Sequence, residues 1–459
     1  MNQETGHSMT DNQGPQERAL VIGLVTARDH QAEERTAASL DELTELVRAC
    51  GAVVEGRAVQ FRDKPDPATY IGRGKLEEIC AQARQVGANL LVFDEELSGS
   101  QTRNIQEQSD LKILDRTAVI LDIFARRATS SEGKLQVELA QYEYRLSRVF
   151  LINEAMSRLG GGIGTRGPGE SQLETDRRHI RLRISKLKRE LEELGHRRSR
   201  VRRKRSEAGA AIVAVVGYTN AGKTSLINAL AGTDLVAMDQ VFATLDPAAR
   251  RLELPDGQAL ILVDTVGFIR KLPHQLVEAF KSTLEELRDA DIILQVTDLA
   301  DPDAAAEAEV VEQQLKSLDA QEKPRIQALN KIDRLDKPVP AYLLTPDRHG
   351  ADRIVIPLSV KTGQGLPELR QALAQLAGHR MLNYCLTLPF SESALLAYIK
   401  NHAARLEEQY TENGAVLSFG LDRQLSGPVE RYLQETAASQ AEPVPDSTQD
   451  PDSTQEEKD

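Results

Sequence analysis

The segment GYTNAGKT, residues 217–224, constrains the fold of this chain more than any other feature of its sequence. It follows a continuous apolar run, residues 212–216, and precedes a helical pattern over residues 225–230. An apolar run of this kind is typical of a strand buried on both faces. A glycine loop between such a strand and a helix brings backbone N–H groups and a helix N-terminus to phosphate oxygens. The sequence therefore predicts an α/β domain with a P-loop.

The residues of this loop have separate predicted roles. Lys223 places a positive charge against the β- and γ-phosphates, and we assign it a catalytic role. Thr224 offers its hydroxyl to Mg²⁺, the predicted cofactor. The residues predicted to contact the nucleotide here are Gly217, Tyr218, Thr219, Asn220, Ala221, Gly222, Lys223, Thr224 and Ser225.

Two further segments are predicted to reach the metal and the third phosphate. Asp264 ends the second strand of a predicted hairpin, where it can hold Mg²⁺ through water. The Gly267 N–H can bond the γ-phosphate, and Thr244 is the candidate hydroxyl that closes on Mg²⁺. We assign catalytic roles to both. The nucleotide contacts predicted in these segments are Phe242, Ala243, Thr244, Asp264, Thr265, Val266 and Gly267.

The segment NKID, residues 330–333, predicts that the base is guanine. A carboxylate accepts from guanine N1–H and N2–H₂ together, and adenine offers no such pair of donors. A buried Asp333 would then be unpaired with ATP, and mismatches of this kind discriminate by about 10⁴. The predicted base contacts are Asn330, Lys331 and Asp333, together with Ser359, Val360 and Lys361 after the last strand of the domain. The predicted reaction is hydrolysis of GTP to GDP.

Phe268 occupies the position where many GTPases place a glutamine that orients the attacking water. Phenylalanine cannot orient water by hydrogen bonding, so we expect slow unaided hydrolysis. Asn220 is a candidate for holding a monovalent cation such as K⁺ near the phosphates, and a loop-stabilising amide is the alternative role.

Composition and periodicity divide the 459 residues into six segments. Residues 134–157 and 171–207 have helical patterns, and the second repeats leucine, isoleucine or valine every seven residues, which predicts a coiled-coil seam. In the C-terminal segment we expect a helix over residues 393–407 and a strand over 415–419. The predicted segments are a disordered tail (1–18), an α/β domain (19–130), a helical hairpin with a glycine-rich loop at 160–169 (131–208), the P-loop domain (209–378), a small α+β module (379–435) and a disordered acidic tail (436–459).

The charge is unevenly distributed along the chain. The net charge is −13, but residues 171–207 hold fourteen Lys or Arg against six Asp or Glu. A concentrated basic segment in an acidic protein favours an oriented contact with a polyanion through that segment.

Other features of the sequence limit the compartment. The three cysteines form no CxxC pair, which fits a reducing environment, and the N-terminus lacks the apolar region of a secretory signal. No run of 18 apolar residues is present, so no membrane span is predicted. We expect a cytoplasmic monomer; the sequence leaves a peripheral membrane contact open.

The motifs together resemble the HflX family of ribosome-associated GTPases, within the Obg-HflX superfamily of P-loop GTPases. The resemblance rests on GYTNAGKT, FATLDP, DTVGF and NKID, and above all on GGIGTRGPGESQLETDRR upstream of the P-loop. YIGRGKLEEI and the stretch over residues 114–149 are also similar to that family. The resemblance covers about residues 19–380, with no departure in the motif residues.

The resemblance implies a GTPase that binds the large (50S) ribosomal subunit, splits stalled or idle 70S ribosomes in its GTP state, often under stress, and is released after ribosome-stimulated hydrolysis. The hairpin loop would then reach toward the peptidyl-transferase region, where glycines permit close approach and arginines pair with rRNA phosphates. The candidate rRNA contacts are Gly162, Gly164, Arg166, Gly167, Arg181, Arg183, Arg200 and Arg202.

Three alternatives remain open from the sequence. The protein could be a GTP-regulated adaptor for protein partners, since its body is acidic, or a ribosome assembly factor. The segment Gly72-Arg73-Gly74-Lys75 could also bind a second nucleotide in the N-terminal domain, although Leu76 stands where a P-loop has Ser or Thr.

Overall fold

The computed structural model is an α/β protein, which confirms the predicted fold class. The residues that the structure describes form three β-sheets, two of them mostly or wholly parallel and flanked by helices. The residues that the structure describes are 16–26, 30–159, 168–207, 210–232, 242, 249–254, 259–273, 276, 287–340, 343, 353–378, 381–411, 414–422 and 425–440.

The N-terminal sheet is parallel and has the strand order β2-β1-β3-β4. Its strands are β1 (Arg18–Val25), β2 (Val53–Phe61), β3 (Leu90–Phe93) and β4 (Lys112–Asp115). Its helices are α1 (His30–Ala49), α2 (Arg73–Val86), α3 (Gly99–Ser109) and α4 (Arg116–Arg127). Local signals set the helix ends: α2 stops at Gly87, which has a φ of 68°, and α3 begins with a capping box between Ser98 and Gln101.

Two long helices follow, α5 (Ser131–Leu159) and α6 (Pro168–Glu207). The predicted seam of α6 packs inward, since Leu187 is fully buried and Ile180, Ile184 and Leu191 contact the same hydrophobic core. Ion pairs from Arg183 to Glu138 and from Lys188 to Glu143 join α6 to α5. The tip of the predicted loop, residues 160–167, lies outside the described residues.

The second sheet has the order β10-β9-β8-β5-β7-β6, and only β6 runs antiparallel to its neighbour. Its strands are β5 (Ala211–Gly217), β6 (Ala249–Glu253), β7 (Ala259–Asp264), β8 (Ile292–Asp298), β9 (Arg325–Asn330) and β10 (Arg353–Pro357). Its helices are α7 (Lys223–Ala231), α8 (Ala304–Ser317) and α9 (Leu366–Gly378). The motif residues therefore follow the carboxyl ends of β5, β7, β9 and β10, where ligands of open parallel sheets bind.

The N-terminal sheet, the base of the long helices and the P-loop domain share one hydrophobic core. Its buried members come from all three parts: Leu43 and Val119 from the N-terminal domain, Leu139 and Leu187 from the long helices, and Val216 from the P-loop domain. Phe124 of α4 also meets Phe242 of the P-loop domain edge to face, with ring centroids 4.5 Å apart. The segments that the sequence predicts as separate are therefore packed together in one compact unit.

A second compact unit contains β11 (Met381–Leu388), β12 (Ala404–Thr411) and β13 (Gly414–Asp422) in an antiparallel sheet of order β11-β13-β12. Helices α10 (Ser393–His402) and α11 (Gly427–Gln440) belong to it. The predicted helix over residues 393–407 is wrong at its end, because residues 404–411 pair with β13 and tertiary pairing overrides helix propensity. Among the described residues, no helix is both long enough and apolar enough to cross a bilayer.

Candidate nucleotide-binding site

Two positions of the P-loop require glycine because each has a positive φ and a close neighbour. Gly217 has a φ of 155°, and a Cβ there would lie 2.2 Å from the Val296 carbonyl oxygen. Gly222 has a φ of 95°, and a Cβ there would lie 2.4 Å from Nδ2 of Asn330. The motif spacing therefore reflects the packing of β5 against β8 and of the loop against β9.

Lys223 is buried under the loop that precedes it. Its Nζ donates to the carbonyl oxygens of Gly217, at 3.1 Å, and Tyr218, at 2.7 Å. Burial lowers the pKa of Lys223 to about 8, and the negative charges of Asp264 and Glu307 oppose that shift. The ammonium thus lies in a poorly solvated position, where a phosphate would stabilise its charged form.

Thr224 and Asp264 bring two oxygen donors together. The Thr224 hydroxyl donates to Oδ2 of Asp264 over 3.0 Å, and Asp264 is fully buried at the end of β7. Thr265 is held in turn by a 2.7 Å bond from its hydroxyl to the Val215 carbonyl oxygen. A hydroxyl and a carboxylate are the hard oxygen ligands that Mg²⁺ takes beside phosphates, so these residues fit the predicted metal.

Gly267 lies directly against the lysine. A Cβ on Gly267 would be 3.0 Å from Lys223 Nζ, so the glycine that we predict to contact the third phosphate is adjacent to the predicted phosphate ligand. The next residue, Phe268, is buried, and its backbone exchanges bonds with Gly217 and Thr219 of the P-loop. Its side chain packs in the core and is not placed to orient a water molecule.

The base-recognition segments meet through Asn330. Its amide donates to the Ala221 carbonyl oxygen over 2.9 Å and accepts from the Val360 N–H over 3.2 Å. The Lys331 ammonium also reaches the P-loop, 3.0 Å from the Asn220 carbonyl oxygen. The structure therefore brings residues 217–224, 330–333 and 359–361 into one site.

Asp333 differs from its prediction, since it is exposed rather than buried. Its carboxylate accepts a 2.6 Å hydrogen bond from the Ser359 hydroxyl, and that bond holds the pKa of Asp333 below its ordinary value. The carboxylate is therefore ionised and oriented at the mouth of the site, where a bound base would cover it.

Other predicted residues fall into three groups. Ala243, Thr244, Gly162, Gly164, Arg166 and Gly167 lie outside the described residues, as do the side chains of Arg200 and Arg202. The side chain of Phe242 packs on Phe124. Arg181 is exposed on α6. Arg183 is paired with Glu138 and must leave that pair to contact phosphate.

The sequence motifs do not indicate the contacts between the nucleotide site and the N-terminal sheet. The Tyr218 hydroxyl bonds Glu42 of α1, and Lys271 pairs with Asp94 and Glu95 after β3. The sequence hints at such contacts only by placing a charged residue, such as Asp94, directly after a buried strand. It does not indicate which distant residue that charge contacts.

Comparison with known proteins places this site in a family. Family models match residues 37–125 (GTP-binding GTPase N-terminal), 127–205 (GTP-binding GTPase Middle Region) and 212–331 (50S ribosome-binding GTPase). The protein named GTPase HflX from Lacrimispora saccharolytica is 44% identical over 87% of this chain and 92% of its own length. The chain belongs to the HflX family of GTPases. Its Escherichia coli relative of the same name is 39% identical over 89% of this chain and 94% of its own.

Membership of the HflX family agrees with the resemblance drawn from the motifs. Among solved structures, a GTP-binding protein from Sulfolobus solfataricus in complex with GDP is 25% identical to this chain. That match covers 79% of this chain and 99% of the archaeal protein, with a TM-score of 0.42.

Proposed function

We propose that this HflX-family GTPase binds the large ribosomal subunit and, with GTP bound, splits or rescues stalled or idle 70S ribosomes. Hydrolysis, stimulated by the ribosome, would release it. The observation that carries the proposal is the continuity of the core, which joins the P-loop domain to the base of α5 and of the basic helix α6. The family-model description of residues 212–331 as a 50S ribosome-binding GTPase supports the choice of partner.

The hydrolysis itself would use positioning and charge rather than a covalent intermediate. Lys223 and the P-loop N–H groups would offset the charge on the transferring phosphoryl group, and Gly267 would bond the third phosphate. Thr224 and Asp264 would hold Mg²⁺, the second through water, and the ion would neutralise phosphate charge when bound. Thr244 remains the candidate for closing the site.

The proposal is tested by sedimentation of purified 70S ribosomes with the protein. With a non-hydrolysable GTP analogue we expect the 70S peak to fall and the protein to sediment with the large subunit. With GDP we expect neither change. An unchanged 70S peak in both states, with no protein on the large subunit, would refute the proposed function.

Binding through the basic face of α6 predicts a steep salt dependence. The paired reversal Arg181→Glu and Arg189→Glu, at two exposed positions, should weaken binding to the large subunit. The slope of log affinity against log salt should become shallower by about one for each phosphate that the variant no longer neutralises. The measurement is large-subunit binding between low and physiological salt.

The matched control is Arg431→Glu, at an exposed position on α11 of the second unit. It reverses the same kind of charge without touching α6, and its salt slope should equal that of the wild type. Retained binding by the α6 variant, with a shallow salt slope, would favour the adaptor function instead.

Potassium is a second proposed cofactor, on the basis of Asn220. This residue is exposed at the edge of the P-loop with a φ of 61°, and its own carbonyl oxygen accepts from Lys331. The side-chain carbonyl oxygen of Asn220 is a suitable ligand for a hard cation, so we expect faster hydrolysis in K⁺ than in Na⁺ of equal ionic strength. Asn220→Ala should remove the difference; equal wild-type rates in the two salts would exclude this role.

A further inference from the structure

The P-loop tyrosine joins three parts of the molecule at one oxygen. The Tyr218 hydroxyl donates to Oε1 of Glu42 over 2.6 Å and accepts from the Arg270 backbone N–H over 2.9 Å. Only 5% of Tyr218 is exposed. Glu42 belongs to α1 of the N-terminal sheet domain, and Arg270 is the third residue after Gly267. A single hydroxyl thus connects the P-loop, the segment after β7 and the N-terminal domain.

The N-terminal end of this connection is a buried network of charged groups. The Arg116 guanidinium, 2% exposed, lies 2.7 Å from Oε2 of Glu42 and 2.9 Å from Oδ1 of Asp94. The Ser39 hydroxyl donates to the second oxygen of Asp94 over 2.7 Å. Glu42 is therefore held in place by a buried charge rather than exposed on a mobile side chain.

A second contact holds the same segment to the same domain. Lys271 Nζ lies 2.5 Å from Oδ2 of Asp94 and 2.7 Å from Oε1 of Glu95. Residue 270 is thus linked to Glu42 through the Tyr218 hydroxyl, and residue 271 is paired with Asp94 directly. Arg116 contacts both of these carboxylates. Burial also raises the pKa of the Tyr218 phenol far above its ordinary value, so the hydroxyl stays protonated and keeps its donor bond to Glu42.

We propose that Tyr218 is a positioning residue for GTP hydrolysis: its hydroxyl fixes Arg270 against Glu42, so that the N-terminal domain sets the position of Gly267 beside the third phosphate. The inference rests on the proposed nucleotide site. It adds a role for a side chain whose hydroxyl bonds another domain rather than the nucleotide.

The physical basis is preorganisation of the segment that carries Gly267. Gly267 already lies against Lys223, and Phe268 is bonded through its backbone to Gly217 and Thr219. The hydrogen bond from the Arg270 N–H to the Tyr218 hydroxyl holds the following part of this segment next to the N-terminal domain. Donors that are fixed before the reaction stabilise the transition state without reorganisation, whereas a loosened Gly267 N–H would have to be ordered at each turnover.

The test is Tyr218→Phe in the full-length protein, which removes only the hydroxyl. We expect kcat for GTP hydrolysis without ribosomes to fall about tenfold, since the segment loses one buried hydrogen bond, with GDP affinity changed less than about twofold. Amide exchange of residues 266–272 should become faster. This split between kcat and binding distinguishes positioning from a general loss of structure.

Tyr144→Phe is the matched control. Tyr144 is a half-buried phenol that, like Tyr218, donates to a carboxylate of the N-terminal domain: its hydroxyl lies 2.7 Å from Asp115. Within the described part of the chain, its hydroxyl bonds neither the P-loop nor residues 268–271, so this variant should lose comparable stability and keep the wild-type kcat. Lys271→Met provides a second variant on the same segment as Arg270, and we expect it to lower kcat in the same direction.

The outcomes separate the two proposals. Wild-type kcat in both Tyr218→Phe and Lys271→Met, or an equal fall in Tyr144→Phe, would refute the positioning role and leave the nucleotide site intact. If Tyr218→Phe does not fold, the Lys271→Met result decides. Failure of the wild-type protein to bind or hydrolyse GTP would refute the proposed function itself.

Discussion

Asp333→Asn should lower the affinity for GTP by about 10³-fold to 10⁴-fold and create affinity for xanthosine triphosphate. The Asp333 carboxylate is oriented by the Ser359 hydroxyl at 2.6 Å, ready to accept from two guanine donors. An asparagine accepts one of them and opposes the other with its own N–H₂ group. Xanthine has a carbonyl in place of the guanine amino group, so it complements the asparagine. Competition binding with GTP, ATP and xanthosine triphosphate measures the change.

Asp336→Asn is the control for this prediction. Asp336 is exposed three residues further along, so the substitution makes the same change in charge outside the site. It should leave the order of nucleotide affinities as in the wild type. If Asp333→Asn also kept the wild-type preference for GTP, the guanine assignment of residues 330–333 would be wrong.

Much of the fold follows from local signals in the sequence. The apolar run over residues 212–216 forms a buried strand as predicted, and in the structure that strand spans residues 211–217. The helix before Gly87 ends where the glycine adopts its positive φ. In each case the residues that form the element also determine its limits, so no distant contact is needed to predict it.

The strand over residues 404–411 shows where local signals are insufficient. Its sequence, ARLEEQYT, contains good helix formers directly after a true helix, so the local pattern predicts a helix that continues to residue 407. Its partner is β13, and that pairing sets its conformation. Strand pairing depends on cross-strand neighbours, which the propensity of one segment does not include.

The candidate site divides in the same way. Residues adjacent in the motifs, such as Lys223 and Thr224, are placed by one loop, and their spacing is sufficient to predict them. The contact from Tyr218 to Glu42 spans 176 positions, and its geometry depends on Arg116 from a third segment. The exposure of Asp333 also does not follow from the motif, because the motif describes the arrangement with a base in place.

The second large effect concerns the charge of Lys223. Its pKa is lowered to about 8 by burial, and a bound phosphate raises that pKa by offering a negative partner. Below about pH 8 the lysine is charged in both states, so affinity for GDP should be constant there. Above that value the free protein must take up a proton to bind, so affinity should fall by up to about tenfold per pH unit.

Glu307 complicates this profile because burial raises its pKa to about 8 as well. Its deprotonation adds a negative charge near Lys223, which also weakens phosphate binding as the pH rises. The two effects have the same sign, so the wild-type profile alone does not assign the slope. Glu307→Gln removes the second group and should leave the part of the slope that belongs to the lysine.

Lys223→Met in the Glu307→Gln background completes the experiment. Loss of the buried ammonium should weaken GDP binding at pH 7 by about 10²-fold, since a charged hydrogen bond to phosphate contributes up to about 3 kcal/mol. The remaining affinity should be independent of pH from about 7 to about 9, where GDP itself keeps one charge state, because both protein groups whose pKa lies near 8 have then been removed. Calorimetric titration with GDP measures both quantities. A flat wild-type profile to about pH 9, or a slope that survives in the double variant, would show that Lys223 keeps its proton without the nucleotide. The lysine would then be stabilised by its carbonyl contacts to Gly217 and Tyr218 rather than poised to gain its charge from the phosphate.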